Sequence, residues 1–192
     1  MGTEMRGTLS KANRLFWLGR YLERVQTALL ETKMIFDAET DGGEADYAAY
    51  CRALGIPADY PDTAAFVRSY YFDAANPNSI AAALGYAYDN AIVLRETIST
   101  ETLAYVQMAV SAMALAAKSD GPGVELQWVL DDIMAFRGSC EEKIADEGSR
   151  NILKTGSSLE RVDLYLRLGK AAPLCKKEFE RLFNRLYKTQ LQ

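Results

Sequence analysis

Apolar residues recur at helical intervals along almost the whole chain. Leu15, Leu18, Leu22, Val25 and Leu29 fall at i, i+3, i+7, i+10 and i+14, a buried stripe sustained for four turns. This predicts a first helix over 10–37, with Ser10 as its N-cap and Asp41-Gly42-Gly43 as its stop. A shorter helix over 44–54 ends at Gly55 with Pro57 beyond, and Asp62 caps a third over 63–73. After the turn Asn76-Pro77-Asn78, Ser79 opens a fourth helix striped by Ile80, Leu84, Ala87, Ala91, Leu94 and Ile98. Ser99 caps a fifth, with Leu103, Val106, Val110 and Met113 inward, and Gly121-Pro122-Gly123 turns it back into an antiparallel sixth over 124–147. Gly148 stops that helix, Ser149 caps a seventh over 149–169, and Pro173 sits near the start of an eighth. No segment alternates with period two. The pattern predicts an all-α antiparallel bundle of seven to eight helices, more than about 60% helical where about a third is usual.

A chain of 192 residues suits a single domain, 1–192, large enough to bury a core without metal or disulfide staples. Residues 1–8 read as a disordered tail and 170–192 as a basic terminal helix. Charge sharpens that division. Residues 167–192 carry seven Lys or Arg against two Glu, a net of +5, so the rest of a chain of net charge −4 carries −9. An acidic body disfavours nucleic acid as a partner, and the basic helix is expected to lie on that body. No apolar run reaches the roughly 18–20 residues needed to cross a bilayer, so no membrane association is expected and the setting reads as cytoplasmic.

The chain has no histidine, which removes the commonest general base and the His-containing zinc and di-iron sites. Three distant cysteines, Cys51, Cys140 and Cys175, have neither zinc-ribbon nor disulfide-framework spacing and read as free structural thiols. The expectation is no catalytic residue, no metal and no cofactor, although an enzyme could still use carboxylates, Lys, Tyr or Cys.

Two segments repeat one another. "LFWLGRYLERVQTAL" at 15–29 and "ILKTGSSLERVDLYL" at 152–166 share Gly, Leu, Glu, Arg and Val at an offset of 137 residues, and their apolar positions match as Leu15 with Ile152, Leu22 with Leu159 and Leu29 with Leu166. The repeat predicts a pseudo-symmetric helix pair packed side by side through Leu and Val stripes. Glycine one turn before each glutamate, at Gly19 and Gly156, lets a second helix approach, at a propensity cost of about 1 kcal/mol relative to Ala. Glu23 has Phe16 and Leu30 on its own helical line, which places the carboxylate at least partly in the interior. A buried carboxylate needs a cation, and Arg20, Arg24 and Arg161 are at hand. The expectation is reciprocal pairing, Glu23 with Arg161 and Glu160 with Arg24. Two readings stay open: ion pairs that fix the register of two helices, or a site for an anionic or amide-bearing ligand.

At these residues the chain resembles the alpha-E family, bacterial all-helical proteins named for a Glu-Arg motif. "LSKANRLFWLGRYLER" is similar to the family's opening pattern, and "NPNSIAAALGYAYDNAIVLRETISTE" at 76–101 resembles its Asn-Pro-x-Ser-Ile segment and following Arg-Glu helix, matching at Asn90, Arg95 and Glu96. The third match is "FRGSCEEKIADEGSRNILKTGSSLERVDLYLRL" at 136–168, where Ser157 stands in the place of the family's second Gly-Arg arginine. The resemblance covers most of the chain outside the basic terminal helix, as a shortened member. It adds Asn90, Arg95 and Glu96 to Arg20, Glu23, Arg24, Glu160 and Arg161 as candidate binding residues. It also implies a setting beside ATP-grasp-type ligases and transglutaminase-like proteases that make or trim peptide or amide linkages. The expected role is a non-catalytic partner or substrate-presenting subunit of such a ligase. The alternatives are a structural helical oligomer or adaptor, with Tyr70, Tyr71 and Phe72 as exposed aromatics, and a carboxylate-based or metal-dependent enzyme using the acidic pairs Asp131-Asp132, Glu141-Glu142 and Asp146-Glu147.

Overall fold

The computed structural model of the chain describes residues 2–43 and 45–190, with side chains for 8–43 and 45–187. It is 80% helical, with no strand among the described residues. The first helix, α1, runs over Gly2–Glu31, so Ser10 lies inside it rather than at its cap. Met1 and the side chains of 2–7, within the expected tail, lie outside the described residues, as does Glu44, where the second helix was expected to begin.

The helix expected over 10–37 is two helices, because Thr32 separates α1 from α2, Lys33–Thr40. The Thr32 hydroxyl lies 2.7 Å from the Ala28 carbonyl and 2.6 Å from the Tyr71 hydroxyl, and Tyr71 donates to the Thr32 carbonyl at 3.0 Å. Side-chain bonds of this kind back to the preceding turn bend helices. Asp46 caps α3, Tyr47–Leu54, which stops at Gly55 in the left-handed conformation. Asp62 caps α4, Thr63–Val67, which passes into a π-helical turn, Arg68–Phe72. That turn carries Tyr70 and Tyr71 inward, correcting the expectation that they are exposed: both are buried, and Tyr70 stacks on Phe66, which stacks on Tyr47, each at 5.1 Å.

Ser79 caps α5, Ile80–Val93, and a break at Leu94 sets off the short α6, Arg95–Ile98, before Ser99 caps α7, Thr100–Ala116. The sixth expected helix is α8, Gly123–Lys143, and it ends earlier than expected. Asp146, not Ser149, caps α9, Glu147–Arg167, accepting from the Ser149 amide at 2.9 Å and its hydroxyl at 2.5 Å. A carboxylate accepts both bonds at once, so Asp146 takes the cap and Gly148 falls in the first turn. The last helix, α10, covers Ala172–Gln190.

The packing order runs α10 on α9, α9 on α1, α1 on α5, α5 on α7 and α7 on α8, and α8 returns to touch α1. The basic helix therefore does lie on the body. The stripe Leu15, Leu18, Leu22, Val25 and Leu29 is buried together with Leu84, Val106, Ile133 and Phe136 in one apolar core. To that core α9 contributes Leu153 among its buried residues. Leu166, matched in the repeat to buried Leu29, is 63% exposed. The apolar stripe thus serves one copy of the repeat and not the other. No described helix is long and apolar enough to cross a membrane.

Candidate functional site

The seam between α1 and α9 is made of glycines, backbone and charge. A Cβ built on Gly19 would collide with the Leu153 carbonyl, and one on Gly156 with the Phe16 carbonyl. These contacts are reciprocal within the repeat, since Leu153 corresponds to Phe16 and Gly156 to Gly19. The Ser157 hydroxyl donates to the Gly19 carbonyl at 3.1 Å, and Glu23 meets Arg161 further along. Facing positions rise together on both helices, so α1 and α9 run parallel, in the register of the repeat.

Both motif glutamates are buried, Glu23 at 2% and Glu160 at 0% exposure. Arg161 grips Glu23 through two nitrogens, Nε on Oε1 at 2.6 Å and Nη2 on Oε2 at 2.7 Å. Glu160 accepts from Arg24 Nε on Oε1 and from Arg20 Nε on Oε2, both at 2.6 Å. The expected reciprocal pairing is therefore present, with Arg20 added to it. Arg20 also lies over the Trp17 ring at 4.8 Å, and Arg24 over Tyr21 at 5.8 Å, contacts that hold each cation in place.

The repeat breaks where Ser157 replaces the counterpart of Arg20. Perfect symmetry would bring an arginine from 157 to Glu23 as Arg20 comes to Glu160. Instead Arg137 of α8 donates Nη2 to Glu23 Oε2 at 2.6 Å. Each buried glutamate thus has two guanidiniums, and α8 supplies the one that the second copy lacks. Arg137 and Glu178 were not singled out in the sequence. The signal for Arg137 is its position as the sole arginine of α8, one residue after Phe136 and one turn from Ile133 and Cys140, all buried. Glu178, itself buried, extends the network to α10, accepting from Arg161 at 3.3 Å and Arg181 at 2.6 Å.

Protonation energetics differ between the arginines. The Arg161 pKa is raised, chiefly by its hydrogen bond to Glu23. Burial pulls Arg24 down, but its bond to Glu160 and that carboxylate's charge outweigh it and the pKa is raised. Arg137 is lowered, because burial and the charge of Arg161 outweigh Glu23. Every carboxylate oxygen of the pair accepts from a guanidinium. Through these bonds the two glutamates link α1 to α9, and Glu23 links both to α8.

A cleft of about 310 Å³ opens at the Glu160 end, lined by Arg20, Arg24, Arg167, Tyr50 and Tyr70. Tyr50 and Tyr70 share a hydrogen bond at 2.8 Å, and burial pushes the Tyr70 hydroxyl up to about 12. The other three candidate residues lie apart from this network. Arg95 pairs with Glu96 at 3.0 Å on the exposed surface, and Asn90 accepts from Arg14 at 3.4 Å while donating to the Tyr86 carbonyl. Among the acidic pairs, Glu141 is bridged to Lys154 at 2.6 Å, Asp131 accepts from Gln127, and Asp146 is the cap of α9.

Fold and seam together define an all-helical domain organised by a doubled Glu-Arg motif. The chain belongs to the Alpha-E family, described as a predicted alpha-helical domain with a conserved ER motif, whose model matches residues 9–182. That match runs into α10, further than the sequence resemblance had reached. No curated protein and no solved structure matches the chain.

Proposed function

We propose that this protein is a non-catalytic binding subunit of a peptide- or amide-forming ligase system of the ATP-grasp type, and that α10 is its docking element. The observation that carries this reading is the outer face of α10. Phe179, Phe183, Leu186 and Tyr187 stand at i, i+4, i+7 and i+8 and are all exposed, while Glu178 and Leu182, about 100° round the helix from Phe179 and Phe183, hold the neighbouring face against the body. Large aromatics in such a row are the anchors by which an amphipathic helix enters an apolar groove. Lys176, three residues before Phe179 and in line with the row, has an exposed side chain, so the groove that fits has an acidic rim. The Glu-Arg seam supports the same reading from the inside, because its carboxylates are occupied in holding helices together. The family resemblance supplies the ligase.

The experiment is a pull-down of the neighbouring ATP-grasp-type ligase at low and high salt, with a turnover assay of the ligase with and without this subunit. The reading expects capture that weakens as salt rises, loss of capture with Phe183→Asp, and no turnover of ATP or peptide by this chain alone. Turnover by the isolated chain overturns it. Failure to capture the ligase at any salt, with concentration-dependent self-association abolished by the same substitution, assigns the α10 face to a second copy instead.

A further inference from the structure

The cleft of about 310 Å³ at the Glu160 end is rich in hydrogen-bond donors and poor in free acceptors. Arg20 and Arg24 share the one carboxylate of Glu160, each through Nε. The remaining N–H groups of both guanidiniums have no hydrogen-bond partner among the described residues. Both oxygens of Asp163 accept from Arg167 Nε, and the Leu54 carbonyl accepts from Arg167 Nη1. The described charged groups lining the cleft are thus three cations against two carboxylates, an excess of one positive charge. Two tyrosines add a further donor. Tyr50 and Tyr70 meet hydroxyl to hydroxyl at 2.8 Å, and that contact uses only one of their two O–H protons. Neither hydroxyl has another partner among the described residues, and Tyr70 is 3% exposed, so the second proton is left over where water is scarce. An unmet donor in such a place is costly. Burial raises the pKa of both hydroxyls, at Tyr70 against the pull of its bond to Tyr50 and of the nearby Arg24 charge, so both protons stay in place at neutral pH.

From this geometry we infer that the cleft binds a small monocarboxylate with a short aliphatic body, as a free acid or as the last residue of a peptide. A carboxylate brings two acceptor oxygens in one plane, the arrangement that guanidinium N–H groups match. Those oxygens also accept the leftover tyrosine proton. One negative charge cancels the local excess, whereas a dianion would reverse it. The guanidiniums are held ready, because Glu160 fixes each Nε and the Trp17 and Tyr21 rings lie under Arg20 and Arg24. The rest of the wall is aliphatic, with Leu54, Ile56, Leu164 and Leu168, and receives the carbon chain. The volume stands at the lower end of the range of about 300–1,000 Å³ for ligand pockets, which selects a small body. The inference does not rest on the docking role of α10, and its failure leaves that role standing.

The test is a two-dimensional proton–nitrogen NMR titration of the full chain with isocaproate, isocaproamide, acetate and N-acetylglycylleucine at matched ionic strength. Saturable one-site binding of isocaproate is expected, with movement of the Arg20 and Arg24 Nε–H signals. Isocaproamide has the same shape without the charge, and acetate has the charge without the chain, so each binds at least tenfold more weakly. Arg24→Gln weakens isocaproate binding about tenfold or more, as does Tyr50→Phe combined with Tyr70→Phe, as expected for loss of a charge-assisted bond. Arg24→Lys recovers part of the first loss, and Lys33→Ala, on an exposed pair outside the cleft, leaves binding unchanged. N-acetylglycylleucine binding as tightly as isocaproate, or more tightly, assigns the site to peptide ends, and isocaproate alone assigns it to free acids. The same spectra report the folding of each variant, and the comparison of acid with amide on the unaltered chain needs no variant at all. Equal binding of isocaproate and isocaproamide, no saturable binding of isocaproate or the peptide, or unchanged affinity in the folded double tyrosine variant overturns the assignment.

Discussion

The two ends of the α1–α9 seam solve the same problem with different parts. At the Glu160 end both guanidiniums, Arg20 and Arg24, come from the facing copy of the repeat, stacked on Trp17 and Tyr21. At the Glu23 end one guanidinium, Arg161, comes from the facing copy and the other, Arg137, from α8. The first end is local to two helices. The second ties four together, because Arg161 also reaches Glu178 on α10. A symmetric motif has thus been built into an asymmetric bundle by exchanging one arginine for another that arrives from elsewhere in the chain. Each carboxylate is met by two cations, although the two pairs differ in origin.

The comparison is broken most strongly by neutralising the glutamates one at a time. Glu23→Gln is expected to cost about 3–5 kcal/mol, because an amide faces Arg161 and Arg137 with those half-buried charges left unpaired and mutually repelling. Glu160→Gln is expected to cost less, about 2–3 kcal/mol, because Arg20 and Arg24 keep their ring contacts and no third helix is tied to Glu160. Urea denaturation of both variants checks the order, and equal losses would show that the α8 and α10 connections add nothing.

Next in size are the glycines. Gly19→Ala and Gly156→Ala each force α1 and α9 apart where backbone meets backbone, at about 3 kcal/mol apiece, and the melting temperature should fall by similar amounts in the two. Similar losses would show that the repeat's symmetry survives in the backbone although its cations have diverged.

A smaller effect concerns the entry to α9, which sets the register of its motif. Hydrogen bonds from the Ser149 hydroxyl and amide hold the Asp146 carboxyl below its ordinary range. A depressed folded pKa means that the cap's contribution is complete above about pH 4, the unfolded value, and is lost as pH falls through the folded one. Asp146→Ala should cost about 1 kcal/mol at neutral pH, with the difference from wild type shrinking on acidification. Stability curves at pH 7 and below pH 3 check the sign.

Most of this architecture was legible in local chemistry. Period-3.6 stripes located the long helices, and Asp62, Ser79 and Ser99 cap where side chains that accept from the backbone were expected. The repeat exposed the seam, because glycine and glutamate one turn apart make sense only against a second helix. What local chemistry does not carry is competition between neighbours. Asp146 displaces Ser149 as a cap because both stand within one turn of the same amides. Tyr70 and Tyr71 are buried because a π-helical turn rotates them inward, and nothing in the three-residue string announces that turn. Arg137 reaches Glu23 from 114 residues away, a pairing set by the packing of α8 on α1. Asn90, Arg95 and Glu96 joined the candidate site by resemblance alone, and the fold sets them apart from it.

Whether Arg137 stands in for the missing arginine at 157 is decided by a thermodynamic cycle. Urea denaturation would be measured for Arg137→Met, Ser157→Arg and the double variant. Arg137→Met alone should cost about 1–2 kcal/mol, because Glu23 keeps only Arg161 and Thr27. Ser157→Arg alone should gain nothing, since Glu23 already has two guanidiniums. In the double variant the new arginine can occupy the space vacated beside Ser157 and restore most of the loss, a coupling of about 1 kcal/mol or more. Additive losses, with the double variant no more stable than Arg137→Met, would contradict the account and leave Arg137 an incidental neighbour of Glu23.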